Sequence, residues 1–257
     1  MKQGQKLWTR DELILAINLY IKLSFGKIHS RNPSIINLAH LIGRTPGSIA
    51  YKLVNFASLD PSLKERGIKG AANSSKLDKE IWNEFYNNWN ELPYTSEKLL
   101  ADLSNTSIEK NNLIDETELP KEGKTREQIV KVRVNQSFFR KAILASYNNT
   151  CCITGIQNPE LLIAGHIIPW ALDEKNRLNP RNGIAINALH DQAFESGLIT
   201  ITPDYKIKIS SELKLLKNQT GISEFFLKYD NHEIHLPDRF LPDKEFLEYH
   251  NNERFKI

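Results

Sequence analysis

The stretch from Cys151 to Ile201 constrains this chain more than any other part of it. Residues 161–168 are apolar and rich in β-formers, so they read as a strand ending near His166, before Pro169. Residues 171–182 gather Asp173, Asn176, Arg177, Pro180 and Arg181, which marks a loop. Residues 183–186 are a second short apolar strand, and Asn187 can N-cap a helix that Gly197 closes. The order strand, loop, strand, helix brings a strand end to a helix start. His166 and His190 are thereby expected to face one pocket, with Asn182 at the end of the loop. A neutral imidazole can deprotonate water near pH 7, and a second can hold a divalent metal. Together the two can hydrolyse a phosphodiester.

The words around these residues are as informative as the residues. Cys-x-x-Thr-Gly stands at Cys151–Gly155, and Ala-Gly-His-Ile-Ile-Pro-Trp at Ala164–Trp170. Asn182-Gly183 opens the second strand, and Leu189-His190-Asp191-Gln192-Ala193-Phe194 precedes Gly197-Leu198-Ile199. The segment resembles the HNH nuclease superfamily, whose core is a ββα-metal finger, and within it the restriction-endonuclease branch. The resemblance extends upstream through Arg133, Gln136, Phe139 and Arg140, and downstream to Phe246, Leu247 and His250.

It implies roles residue by residue. His166 looks like the general base, and Asn182 like the residue that holds the loop and orients that base. His190 looks like the ligand of one divalent ion, magnesium foremost, with manganese or another transition metal as alternatives. Products with 5′-phosphate and 3′-hydroxyl ends are implied. One position departs from the pattern. Many HNH nucleases carry an Asp or a second His directly before the base, whereas here Gly165 has no side chain, and Asp191 or Asp173 is the carboxylate at hand.

The first hundred residues read as helical. Thr9 with Glu12 makes a capping box, followed by a helical stripe of Leu13, Ile17, Tyr20 and Ile21. Pro33 opens a second helix ending at Gly43, and Thr45-Pro46 starts a third that buries Ile49, Leu53 and Phe56. Ser48, Lys52 and Asn55 are then expected on the outer face beside Tyr51. Two short helices around a tight turn are what a helix-turn-helix needs, with Arg44, Lys52 and Asn55 as candidate DNA contacts. A small helical bundle with a merely solvated surface is the alternative. A fourth helix from residue 76 buries Leu77, Ile81, Phe85 and Trp89. Residues 101–125 lose periodicity and are expected to be a linker. The following basic arm, with Arg126, Arg133, Gln136 and Arg140, leads into the finger and could pin the sugar-phosphate backbone, as could Arg181. After the finger, alternation predicts a β-hairpin over 198–210, and the chain closes with a terminal helix.

Charge supports a polyanionic partner. The net +3 divides into +7 over residues 1–75, −6 over 76–120, +5 over 121–150 and −3 over 151–257. No apolar run reaches the length of a membrane span, and the N-terminus turns polar and acidic before any signal-like apolar stretch. Adjacent Cys151 and Cys152 cannot build a disulfide framework, so a reducing cytoplasm is the natural compartment.

The expectation is an α+β protein: a helical, helix-turn-helix-like domain over 1–100, a linker over 101–125 and an HNH finger with a β-hairpin over 126–257. Its expected substrate is double-stranded DNA, cut in a restriction or defence setting, with a homodimer as one route to double-strand breaks. A DNA-binding regulator with an inactive finger, and a nuclease acting on RNA or single strands, are the alternatives.

Overall fold

The computed structural model describes residues 6–68, 74–86 and 88–257. It combines helices with two small two-stranded antiparallel sheets. The chain divides into two compact units, Met1–Lys141 and Ala142–Ile257.

The first unit holds α1 (Arg10–Lys22), α2 (Pro33–Leu41), α3 (Pro46–Ala57), α4 (Pro61–Glu65), α5 (Lys76–Tyr86), α6 (Leu92–Leu103), α7 (Ile108–Asn111) and most of α8 (Lys124–Ser146). The capping box forms as expected: the Thr9 amide donates to the Glu12 carboxylate at 2.9 Å, and the Glu12 amide donates back to Thr9 Oγ1. Such a cap contributes about 1 kcal/mol. Leu13, Ile17, Tyr20 and Ile21 of α1 are buried with Ile49, Leu53 and Phe56 of α3 and Ile81, Trp82 and Phe85 of α5. The ring centroids of Tyr20 and Phe56 lie 5.9 and 6.1 Å from that of Trp82, so aromatic contact joins the three helices.

Three expectations need correction here. Lys52 and Asn55 are buried on α3, not presented outward; the Lys52 side chain is only 7% exposed and its Nζ meets Asp78 of α5 at 2.7 Å. Helical phase explains this. Lys52 lies three residues after Ile49 and four before Phe56, so it borders the apolar stripe and can turn under it once a carboxylate is there. Arg44 is likewise engaged, paired with Glu12 at 2.6 Å, with its guanidinium 4.0 Å from the Trp8 ring centre. Of the residues expected on that face, Tyr51 is exposed and Ser48 partly so.

Residues 101–125 are not a bare connection. They include α7 and a short 3-10 turn at Glu116–Glu118, and Leu119 packs in a small core with Val130 and Val134 of α8, flanked by Ile108 and Ile114. The division between units falls inside α8, near residue 141, rather than at 125. Arg126 pairs with Glu109 and Glu116, and Arg133 with Glu118, so the acidic segment partly neutralises the basic arm. Gln136 is exposed on α8 and Arg140 half-buried.

The second unit opens with a turn at Cys151–Gly155 whose cysteines are buried and free. Then come β1 (Leu162–His166), β2 (Gly183–Asn187), α9 (Ala188–Glu195), β3 (Ile199–Ile201), β4 (Ile207–Ile209), α10 (Ser211–Leu215), α11 (Thr220–Phe225) and α12 (Lys244–Glu253). β1 and β2 are antiparallel, with His166 opposite Gly183 and Gly165 opposite Ile184. The expected hairpin pairs Ile199 with Ile209. Among the described residues, no helix is long and apolar enough to cross a membrane.

Candidate active site

The β1–β2 register fixes where His166 emerges: at the last strand residue, where the chain leaves the sheet for the loop 167–182. Asn182, fully buried, closes that loop. Its Oδ1 accepts from the Ile168 amide at 2.8 Å, while Nδ2 donates to the carbonyls of Ile168 at 3.1 Å and Asn176 at 3.3 Å. Its own carbonyl accepts from the Ile167 amide at 3.0 Å. One amide side chain therefore ties the residues just after His166 to the start of β2. Asp173 works within the same loop, accepting from the Asn176 amide and side chain.

The loop also orients His166. Its Nε2 lies 2.9 Å from the Arg177 carbonyl, which can only accept, so Nε2 carries the proton and Nδ1 is the basic nitrogen of the neutral ring. Burial lowers the pKa of this imidazole from its ordinary value, against the opposing pull of the carbonyl. The indole of Trp170 meets the ring edge-on, with centroids 5.5 Å apart. His166 and Trp170 line a cavity of about 380 Å³ together with Gln192, Glu195 and Arg254. His250 forms part of its wall, stacked on Phe194 and bonded to Thr200 Oγ1 and the Phe194 carbonyl. Burial drives the His250 pKa down to about 4.

α9 faces two directions. Asn187 caps it through the His190 amide, and the same Asn187 amide group donates from Nδ2 to His190 Nδ1 at 2.8 Å. His190 Nε2 donates to the Phe225 carbonyl at 2.7 Å, and the rings of Phe226 and Tyr229 meet the imidazole edge-on. Both ring nitrogens are thus engaged by protein, and His190 does not line the His166 cavity. The expectation that the two histidines share one pocket is corrected. His190, expected as the metal ligand, makes these two hydrogen bonds in this structure, and the next residue is the one turned toward β1.

That next residue is Asp191. A Cβ built on Gly165 would lie 2.5 Å from Asp191 Oδ1, so the missing side chain before His166 is what admits this carboxylate. Burial, with Glu195 adding, pushes the Asp191 carboxyl up to about 6. Among the described residues, no group of three or more His, Cys, Asp and Glu side chains gathers as a metal cage. A carboxylate against Gly165 still fits a hard divalent ion, which takes few protein oxygens and completes its shell with water and phosphate.

These features, the tautomer-fixed histidine at the strand end, the buried loop asparagine and the acidic capped helix, lie in a segment that matches a known family. Residues 151–202 match the HNH endonuclease family model. No curated protein matches the chain. The HNH segment spans the turn, the finger and β3, so its relation to known nucleases rests on the residues that build the His166 site. Arg254 lies outside it and, like Glu195, is not among the residues the sequence points to, while Gln192 figures there only within the Leu189–Phe194 word. The α9 residues carried a signal, four- and three-residue spacing after Asp191 and Leu189, whereas Arg254 carried none. Arg181 pairs with Asp243 at 2.9 Å within the same unit.

Proposed function

We propose that this chain is a metal-dependent endonuclease that hydrolyses DNA phosphodiester bonds, with His166 as general base. The observation that carries this is the His166 ring: its Nε2 proton is held by the Arg177 carbonyl, its pKa is lowered by burial, and it opens on a cavity walled by Arg254. Nδ1 takes a proton from a water positioned in that cavity, and the water oxygen attacks phosphorus as the 3′ oxygen departs. Trp170 limits rotation of the ring, and Asn182 holds the loop from which the Arg177 carbonyl points. Arg254, whose guanidinium donates to the Glu195 carbonyl at 2.8 Å, is placed to bind a phosphate oxygen. A divalent ion at Asp191 would supply charge neutralisation at the phosphate and at the leaving oxygen.

Duplex DNA as substrate, and a restriction or defence setting, rest on the branch-level motif resemblance and on the basic balance of residues 1–75. The turn between α2 and α3 supports a helix-turn-helix role for the first unit, with Tyr51 among its exposed residues. The inactive-finger alternative loses its main support, because Asp191 stands in the space that Gly165 leaves open. The test is cleavage of supercoiled plasmid with magnesium or manganese, wild type beside His166→Ala, on methylated and unmethylated DNA. Metal-dependent cleavage lost in the variant is expected. Tight duplex binding with no cleavage of either DNA would overturn the enzymatic reading.

A further inference from the structure

We propose that the first unit holds a binding pocket for a neutral, amine-bearing nucleobase or nucleoside, read through the side-chain oxygen of Asn18. The pocket belongs to the first unit alone, and only the link from its ligand to DNA rests on the proposed nuclease reading.

A cavity of about 350 Å³ is lined by residues of α1, α2 and α6. Leu15 and Leu19 of α1, Leu38 and Leu41 of α2, and Leu100 of α6 make it largely apolar. Room of that order is ordinary for a small-molecule site. Leucines contributed from three helices suit the apolar faces of a flat ring.

Asn18 supplies the polar contact. It is only 4% exposed and lines that cavity. Its Nδ2 donates to Ser96 Oγ and, at 3.0 Å, to Glu97 Oε1. Neither partner lets the amide turn over. The Ser96 hydroxyl proton is committed to the Leu92 carbonyl at 2.6 Å, and a carboxylate can only accept. Oδ1 is therefore the free end of the amide, and among the described residues it has no hydrogen-bond partner. An acceptor left open on a buried side chain at a cavity calls for a donor there.

Charge narrows the ligand further. Lys22 also lines the cavity, but its ammonium pairs with Glu97, which is only 2% exposed. Burial pushes the Glu97 carboxyl up, yet the Lys22 charge and the hydrogen bonds from Lys22 and Asn18 prevail and hold it below its ordinary value. The pair is thus ionised and self-cancelling, so this wall offers no net charge to a phosphate or a carboxylate. The other polar side chains of the lining are serines and asparagines, exposed Ser34 and Asn37 among them. A neutral ring with apolar faces and an N–H edge fits these walls. Adenine and cytosine carry that edge in their exocyclic amine, and a nuclease meets both as bases of its substrate.

The test is isothermal titration of the full chain with adenosine and with cytidine. Saturable binding of at least one is expected. Purine riboside and 2-pyrimidinone riboside, which lack the amine, should bind about tenfold more weakly than their parents, as should the parent nucleoside to Asn18→Ala. Because Asn18→Ala also disturbs Ser96 and Glu97, Asn37→Trp is the second variant. Asn37 is exposed, so its indole fills the cavity from the solvent side, and binding should vanish with Tm unchanged. Mixed-sequence single-stranded DNA then distinguishes the source. Displacement of the nucleoside assigns the pocket to an unstacked base of the nucleic acid; retention assigns it to a free nucleoside. No saturable binding of either nucleoside up to about 5 mM, equal binding of the amine-free analogues, or wild-type affinity in either variant would overturn the inference. Parallel plasmid cleavage separates the two readings. Nucleoside binding without any cleavage overturns the nuclease reading alone, and cleavage without nucleoside binding overturns this inference alone.

Discussion

At His166 one hydrogen bond and one electrostatic effect act on the same ring: the Arg177 carbonyl holds the Nε2 proton, and burial lowers the pKa. Replacing His166 with alanine should reduce plasmid cleavage by about 10²–10⁴-fold, the usual span for a lost general base. Because burial lowers its pKa below 6.5, the rate should rise with pH along a limb centred below 6.5 and then stay flat through neutrality. A limb centred above 6.5, measured as initial cleavage rate from pH 5 to 8, would refute the assignment. Asn182→Ala removes three side-chain hydrogen bonds and leaves the part-buried Ile168 amide and carbonyl without that partner. Urea denaturation should show a loss of about 2–4 kcal/mol, with cleavage falling alongside. The positions of both residues were legible in the sequence, because the apolar β-rich run and the Pro169 stop locate His166 and the Asn-Gly pair locates Asn182. The orientation of His190 was not. One step along a helix rotates a side chain by roughly 100°, and the carbonyl that captures His190 lies at Phe225 in another element.

Among the elements, capping and periodicity made most helices readable: Thr9, Thr45, Asn187 and Asp243 each cap the helix that follows. Faces were harder to read. α3 was expected to show Lys52 to solvent, yet the lysine sits against Asp78, which is fully buried and also accepts from the Ser75 amide at 2.8 Å. A partner 26 residues downstream leaves no trace in local spacing. Removing one member of such a pair leaves a buried charge, so Asp78→Ala should destabilise the first unit by about 3–5 kcal/mol in thermal or urea unfolding. An effect below about 1 kcal/mol would show that the pair is not buried in solution. Residues 101–125 misled for a related reason. Their polar composition suits a linker, but a few apolar residues, Ile108, Ile114 and Leu119, are enough to hold the segment against α8.

Across the whole molecule the two units should respond differently to acid. In the second, His190 and His250 are buried and His166 partly so, all three with lowered pKa values, His250 to about 4. An unfolded histidine binds its proton near 6.5, so their contribution is complete above that pH and is lost as pH falls toward 4. His250 alone accounts for up to about 3 kcal/mol of this. Asp191, raised to about 6, works in the opposite sense, so the net loss is smaller than the three histidines imply. In the first unit, burial pushes Glu12 up but hydrogen bonds from Arg44, the Thr9 amide and Lys6 prevail and bring it down to about 2. Its contribution holds above 4.5 and is lost only toward pH 2. Acid titration should therefore unfold the second unit first. Trp170 reports on that unit and Trp8, Trp82 and Trp89 on the other, so a Trp170→Phe variant should lose the earlier fluorescence transition and keep the later one. Simultaneous transitions would count against it.

The end of the chain bears on how such a finger could be exchanged between proteins. Gly197, at φ +71°, lies so close under the Arg254 carbonyl that an added Cβ would sit 2.0 Å from it, and its own carbonyl receives the Lys256 amide at 2.9 Å. Residues 254–256 are thus stitched to the end of α9, and they bring Arg254 to the cavity. Grafting residues 151–202 alone into another scaffold would carry the base and the loop asparagine but leave behind one wall of the cavity and its cation. Recombination that respects this architecture must move the finger together with its distant C-terminal clasp.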